Sequence, residues 1–151
     1  MTQNKNVHDY RIRSYRETDL DEMVKIWYDA SIIAHSFVPA SFWALQKNAM
    51  TEKYLPSTEN YVFEENGQIS GFISLVKGRI CALFVAPEMQ GRGIGRALLK
   101  HARTLKGKLS LMVYKENERA FNFYTKCGFV TVNEEVDKYT GCVQVLMEWN
   151  E

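Results

Sequence analysis

The residues best suited to chemistry in this chain are Gln90-Gly91-Arg92-Gly93-Ile94-Gly95, where three glycines fall within five positions. A main chain without side chains lets a ligand approach closely. The loop follows an apolar run, Ile80 to Val85, that is closed by Pro87. It precedes Ile94, Ala97, Leu98, His101 and Ala102, which recur at helical spacing. The run predicts a buried strand and the spacing predicts a helix with a basic opposite face. Free N–H groups at a helix start, at the positive end of its dipole, favour an anion such as a pyrophosphate.

Two phosphate-binding patterns fit poorly. A P-loop ends in Gly-Lys-Ser/Thr, but Arg96-Ala97 follows the glycines here. A dinucleotide fingerprint counted from Gly91 or Gly93 would place its third glycine at Arg96 or Leu98. Glu116 lies at a suitable distance for the ribose contact, so dinucleotide binding stays as a minor alternative, beside a glycine-rich turn with no ligand.

The pattern Gln90-x-x-Gly93-x-Gly95, with Leu83-Phe84-Val85-x-Pro87 before it and Leu98-Leu99 after it, resembles the signature loop of the GNAT superfamily of N-acetyltransferases. A second segment, Asn117-x-x-Ala120-x-x-Phe123-Tyr124-x-x-Cys127-Gly128-Phe129, resembles the family's Asn-x-x-Ala-x-x-Phe-Tyr-x-x-x-Gly-Phe stretch and follows in the expected order. The resemblance implies an acetyl-CoA-dependent enzyme, of the small stand-alone bacterial type, that passes acetyl directly to a primary amine of a small molecule or protein. It implies that Gln90, Gly91, Arg92, Gly93, Ile94, Gly95 and Arg96 hold the CoA pyrophosphate, with Lys100 a weaker phosphate contact. The main chain of Leu83, Phe84 and Val85 would pair with the pantetheine amides. Homodimers are common in the family, so a dimer is open. A CoA-binding sensor or interaction module with little catalysis is the alternative within the fold.

Acetyl transfer needs a neutral amine, yet an alkylamine of pKa about 10.4 is unprotonated in only roughly four molecules in ten thousand at pH 7. A base, an oxyanion donor and an acid for the departing thiolate are the roles to fill. Tyr124 matches the family's tyrosine that acts as acid toward the CoA sulfur, against the alternative of a packing aromatic. Asn117 matches a cofactor contact and is equally a candidate helix N-cap. No carboxylate lies in Arg79 to Val85, where several members carry their base, so Glu64, Glu65, His35 or a water chain must serve. Trp27, Ser31 and His35 recur every four residues and share a helix face. With Phe37 they resemble a Trp…Ser…His-x-Phe pattern of small bacterial members. These four and Glu64 are the expected acceptor pocket, with His35 either a base or a structural histidine, and Tyr139 is a weaker candidate.

The elements that must position these groups follow from periodicity. Tyr10 to Arg16 predicts a first strand after a loose tail over residues 1–7. A first helix capped by Thr18 or Asp19 runs to about residue 35, and a second, through Phe42, Trp43, Leu45, Ala49 and Met50, ends before Pro56. Asn66-Gly67 predicts a hairpin and Lys77-Gly78 a second turn. Leu109 to Val113 reads as a buried strand, Asn117 to Lys126 as a helix, and Phe129 to Glu135 with Cys142 to Trp149 as closing strands. The expected fold is a single-domain α/β (α+β) sandwich around a mixed, mostly antiparallel sheet of about seven strands.

Composition limits the partners. The 151 residues, 46% hydrophobic, suffice for one core, and a net charge of +1 offers no basic field for nucleic acid. Three widely spaced cysteines and three scattered histidines suggest neither disulfides nor a metal site. No run approaches the roughly 18 apolar residues of a membrane span, and the stretch MTQNKNVHDY lacks the apolar segment expected of a signal peptide. A reduced, cytoplasmic setting is expected.

Overall fold

In a computed structural model, which describes residues 9–151, alternation and turn chemistry organise the chain into one seven-stranded sheet. The expected tail at residues 1–7 and His8 lie outside the described residues. The strands are β1 (Tyr10–Ser14), β2 (Glu59–Glu65), β3 (Gln68–Val76), β4 (Arg79–Val85), β5 (Lys108–Tyr114), β6 (Val130–Val136) and β7 (Val143–Asn150). They lie in the order β1-β2-β3-β4-β5-β7-β6, and every neighbouring pair is antiparallel except β4 and β5.

Adjacent residues of β3 show how the two faces are filled. Phe72 and Ile73 are both fully buried, on opposite faces. Phe72 joins Met23, Ile26 and Trp27 of α1 (Leu20–Ala34) and Trp43 of α2 (Ala40–Leu45). Ile73 joins Leu98, Leu99 and Ala102 of α4 (Ile94–Leu105) and Tyr124 of α5 (Glu118–Lys126). The sheet is therefore sandwiched between α1–α2 and α4–α5. Asn66 (φ 54°) and Gly67 (φ 76°) make the predicted hairpin turn, with Glu65 paired to Gln68.

The start of α1 is fixed by charge. The Asp19 carboxylate accepts from the Arg16 backbone N–H at 2.7 Å and from the Arg13 guanidinium at 2.8 and 3.1 Å. Hydrogen bonding by Arg13 holds Asp19 below the usual carboxylate range, more than offsetting burial.

The second expected helix is broken. After α2 come a single turn, α3 (Lys47–Ala49), a π turn (Met50–Tyr54) and a 3₁₀ turn (Leu55–Ser57). At Gln46 (φ −91°, ψ −6°) the N–H turns to the Trp43 carbonyl three residues back, which interrupts the α-helical ladder. Leu45, one of the apolar residues whose spacing suggested that helix, is 81% exposed, while Trp43 is buried against Trp27.

Candidate active site

The parallel pairing of β4 and β5 covers only Arg79 with Ser110 and Ile80 with Leu111. Beyond it the strands part, leaving the β5-facing edge of Leu83, Phe84 and Val85 without a strand partner. A cleft of about 950 Å³ opens in the gap. Its walls are the C-terminal half of α1, β4, the glycine loop, β5 and the start of α5.

The loop is shaped for an anion. Gly91 (φ 82°) and Gly93 (φ 87°) lie in the left-handed region, where a side chain would be strained, and among the described residues nothing but their own chain neighbours stands within 4 Å of where a Cβ would project. Gly93 is the N-cap of α4 and no side chain caps this end; its carbonyl takes the first helical bond, from Ala97 N–H. The amides of the first turn are thus left for a ligand. Gln90 Nε2 donates to the Val85 carbonyl at 3.0 Å, pinning the loop to the end of β4. Gly91, Gly93, Ile94, Gly95 and Arg96 line the cleft, whereas Arg92 is exposed outside it. Lys100 lines a shallower groove that meets the cleft at Gly93 and Arg96. A diphosphate fits this cradle: bare amides, a dipole end and the cationic Arg96 converge where no side chain intrudes.

Tyr124 enters from α5, packed edge-on against Phe123 and Phe129, with ring centroids 5.2 and 5.5 Å away. It is 8% exposed and lines the cleft, and burial, with a smaller contribution from Cys127, drives its phenol pKa well above the usual range. The hydroxyl therefore stays protonated at any physiological pH. Phe123 lines the cleft beside it.

Asn117 holds two positions at once. Its Oδ1 accepts from Ala120 N–H at 3.3 Å as the N-cap of α5, which turns its Nδ2 toward His35 Nε2, also at 3.3 Å. An amide nitrogen only donates, so Nε2 accepts and the imidazole proton sits on Nδ1. His35 is packed among Phe37, Trp43 and Tyr114, edge-on to the first and last and tilted against the indole, with centroids 5.8, 5.2 and 5.1 Å away. Burial pushes its pKa down to about 4. This candidate base is therefore a neutral ring whose lone pair is already engaged, and its geometry suits a wall of the site better than proton abstraction.

Trp27 and Ser31 line the same end of the cleft as His35, as the spacing predicted. Phe37 stands behind them, edge-on to His35 and Tyr114, and does not line the cleft. Glu64 is not in the site: on β2 it faces β1, accepting from Arg13 Nε at 2.6 Å and Arg11 Nε at 3.4 Å. Those hydrogen bonds, Arg13's first, hold its carboxyl below the usual range and leave it a structural counter-ion. Glu65, at the end of the same strand, lies outside the cleft too, and Tyr139 is 85% exposed on the 137–142 turn. Among the described residues the carboxylates lining the cleft are Glu116 and Glu118, both exposed.

Tyr114, Trp43 and Gln144 line the cleft without having been expected there. Tyr114 closes β5 at the splay and donates to Asp137 at 2.6 Å, which also takes the Thr140 hydroxyl at 2.9 Å. Its place at the C-terminal end of the strand facing the loop was the available signal. No such signal marked Trp43.

Residues 28–151 match the sequence model described as an acetyltransferase (GNAT) domain. The peptidyl-lysine N-acetyltransferase YiaC of Escherichia coli (strain K12) is 33% identical over 139 residues, covering 91% of this chain and 95% of the relative. The peptidyl-lysine N-acetyltransferase YjaB of the same strain is 34% identical over 128 residues, covering 83% and 86%. The solution structure of apo YjaB from E. coli superposes with a TM-score of 0.83 at 29% identity, covering 93% of this chain and 97% of that one. The PaiA N-acetyltransferase of Thermoplasma acidophilum, solved with coenzyme A, shares the fold at a TM-score of 0.80 and 20% identity, covering 94% and 99%. A dinucleotide site and a bare binding module both give way to this agreement between the cradle's chemistry and end-to-end kinship. The chain belongs to the GNAT acetyltransferase family and is an N-acetyltransferase that takes its acetyl group from acetyl-CoA.

Proposed function

We propose that the enzyme acetylates the side-chain amine of lysine in a peptide or protein, by direct transfer within a ternary complex. The observation that carries this reading is the gap between β4 and β5, which opens on one side to the glycine loop and on the other to the pocket of Trp27, Ser31 and His35. Two reactants can therefore meet end to end without a covalent enzyme intermediate. The relatives that match most of the chain at 33% and 34% identity carry peptidyl-lysine activity in their names, which favours that amine.

Acetyl-CoA supplies an activated thioester; the chain supplies position and protons. The first-turn amides of α4 with Arg96 hold the diphosphate, and the free edge of Leu83, Phe84 and Val85 pairs with the pantetheine amides, with the Val85 N–H a candidate donor to the thioester oxygen. Tyr124, kept protonated by burial, is the proton donor to the leaving sulfur. Asn117 borders both halves of the cleft, and its capping role and its cofactor contact are compatible. The amine's proton leaves through water toward the cleft mouth, where Glu116 and Glu118 stand.

The test is thiol release from acetyl-CoA in the presence of a lysine peptide, spermidine and a free amino acid, with the acetylated site read by mass spectrometry. Turnover that requires the lysine peptide is expected. Binding of acetyl-CoA with no transfer to any of the three would refute the reading.

A further inference from the structure

The acceptor end of the cleft contains a set of polar atoms that no reaction step above uses. Among the described residues, five buried side-chain polar atoms lack a hydrogen-bond partner, and three of them fall together: Ser31 Oγ, His35 Nδ1 and Trp43 Nε1. Their residues are 0%, 9% and 7% exposed, and all three line the cleft. The other two, on His101 and Arg103, belong to α4 on the opposite face of the sheet. Ser31 and His35 are one helical turn apart, joined by the His35 N–H to Ser31 carbonyl bond at 2.8 Å, and the His35 and Trp43 rings lie 5.2 Å apart at 34°. Buried polar groups in folded chains are nearly always paired, so three orphans in one corner of a substrate cleft call for a ligand.

The chemistry of that ligand follows from the atoms. An indole N–H donates and never accepts. Because His35 Nε2 takes the Asn117 amide proton, His35 Nδ1 also carries a hydrogen and donates. The Ser31 hydroxyl turns either way. Two obligatory donors select an oxygen atom, and of the three groups only the Ser31 hydroxyl could accept from an ammonium group. Trp27 and Met50 line this corner with Phe37 behind His35, and among the described residues the cations lining the cleft, Arg96 and Arg119, belong to α4 and α5 rather than to α1 or α2, so a carboxylate here would lose its hydration without a counter-ion from either of those helices. A neutral carbonyl is the better match.

We infer that Ser31, His35 and Trp43 form a donor-lined subsite for a carbonyl oxygen of the acceptor, so that the enzyme selects amines that also carry an amide over amines that carry none. This rests on the acceptor entering at this end of the cleft, as proposed above. The three atoms are closed over in the unliganded chain, so the entering carbonyl must turn a neighbour aside. Met50, a half-buried, unbranched side chain on the same stretch of wall, yields readily.

Nα-acetyl-lysine N-methylamide and n-pentylamine present the same alkylamine with and without amide oxygens. The wild-type kcat/KM for the lysine amide should exceed that for pentylamine by about tenfold or more, the worth of one or two well-made hydrogen bonds. Trp43→Phe keeps a ring but removes the N–H, and should cut that ratio about tenfold; Ser31→Ala should move it the same way. Independently of turnover, with CoA bound, the Trp43 indole N–H resonance in a ¹H–¹⁵N spectrum should shift on titration with the lysine amide and stay put with pentylamine. A ratio near one in the wild type, or an indole resonance that ignores the lysine amide, overturns the subsite. If the resonance shifts but neither amine is acetylated, the subsite stands and the lysine-acetylation reading fails.

Discussion

Asn117 Nδ2 lies 3.3 Å from His35 Nε2, tying the N-cap of α5 to the C-terminal end of α1 across the opening between β4 and β5. These helices pack on opposite faces of the sheet and can meet only where two strands have separated. The bond therefore sits between the cofactor side and the acceptor side of the cleft, and it sets the tautomer of the imidazole.

Asn117→Asp tests that relationship. Aspartate is as good an N-cap as asparagine, so α5 should keep its start. It replaces the donor facing His35 with a charged acceptor, and the His35 pKa, followed by NMR titration, should rise from about 4 toward or above 6.5. The same group has a stability signature. Its folded pKa lies below its unfolded value near 6.5, so the unfolded chain binds the extra proton between those values. The contribution is whole above pH 6.5 and is lost as pH falls toward 4, by up to about 3 kcal/mol. His35→Gln should flatten the difference in denaturant-derived stability across that window; an unchanged slope would contradict a buried neutral imidazole.

Tyr124→Phe should lower kcat about 10²-fold, the usual worth of a positioned acid. Coenzyme A affinity should stay within about twofold, because uniform binding is untouched. The ring remains in its contacts with Phe123 and Phe129, so thermal unfolding is the control for packing. Full turnover in the variant would remove the phenol from the chemistry.

Gly93→Val places a branched side chain at φ 87°, in the left-handed region, directly over the first-turn amides of α4. The strain is about 1–2 kcal/mol, which a domain of this size can tolerate. Occlusion of the amides should abolish acetyl-CoA binding in a calorimetric titration while the circular dichroism spectrum remains that of the wild type. Wild-type affinity would mean the diphosphate sits elsewhere.

Arg13 joins β1, β2 and the start of α1 through Glu64 and both oxygens of Asp19. Arg13→Ala should destabilise the chain by about 2 kcal/mol, read from chemical denaturation, through loss of charge-assisted hydrogen bonds. Glu64→Gln should leave kcat and KM for acetyl-CoA and a lysine peptide at their wild-type values. A drop in kcat for Glu64→Gln would return that carboxylate to the active site.

What could be read from the chain alone was whatever is local. Three closely spaced glycines specify a loop with bare amides that a ligand can approach, whatever surrounds them. The Asn66-Gly67 turn between two apolar runs fixes a hairpin, and the four-residue recurrence of Trp27, Ser31 and His35 fixes a shared helix face. Each depends on neighbours within a few residues. Folding alone decided which distant groups meet. Glu64 has the chemistry of a base, but the register of β2 against β1 gives it to Arg13. Leu45 has an apolar side chain at helical spacing, but it ends α2 on the exposed side while Trp43, two residues before it, is buried. His35 has the pKa of a switch in water, and loses it because Trp43 and Tyr114, brought from two other segments, close with its chain neighbour Phe37 over the ring and exclude water. Strand pairing and burial are sums over residues far apart in the chain, and no short window of sequence contains them.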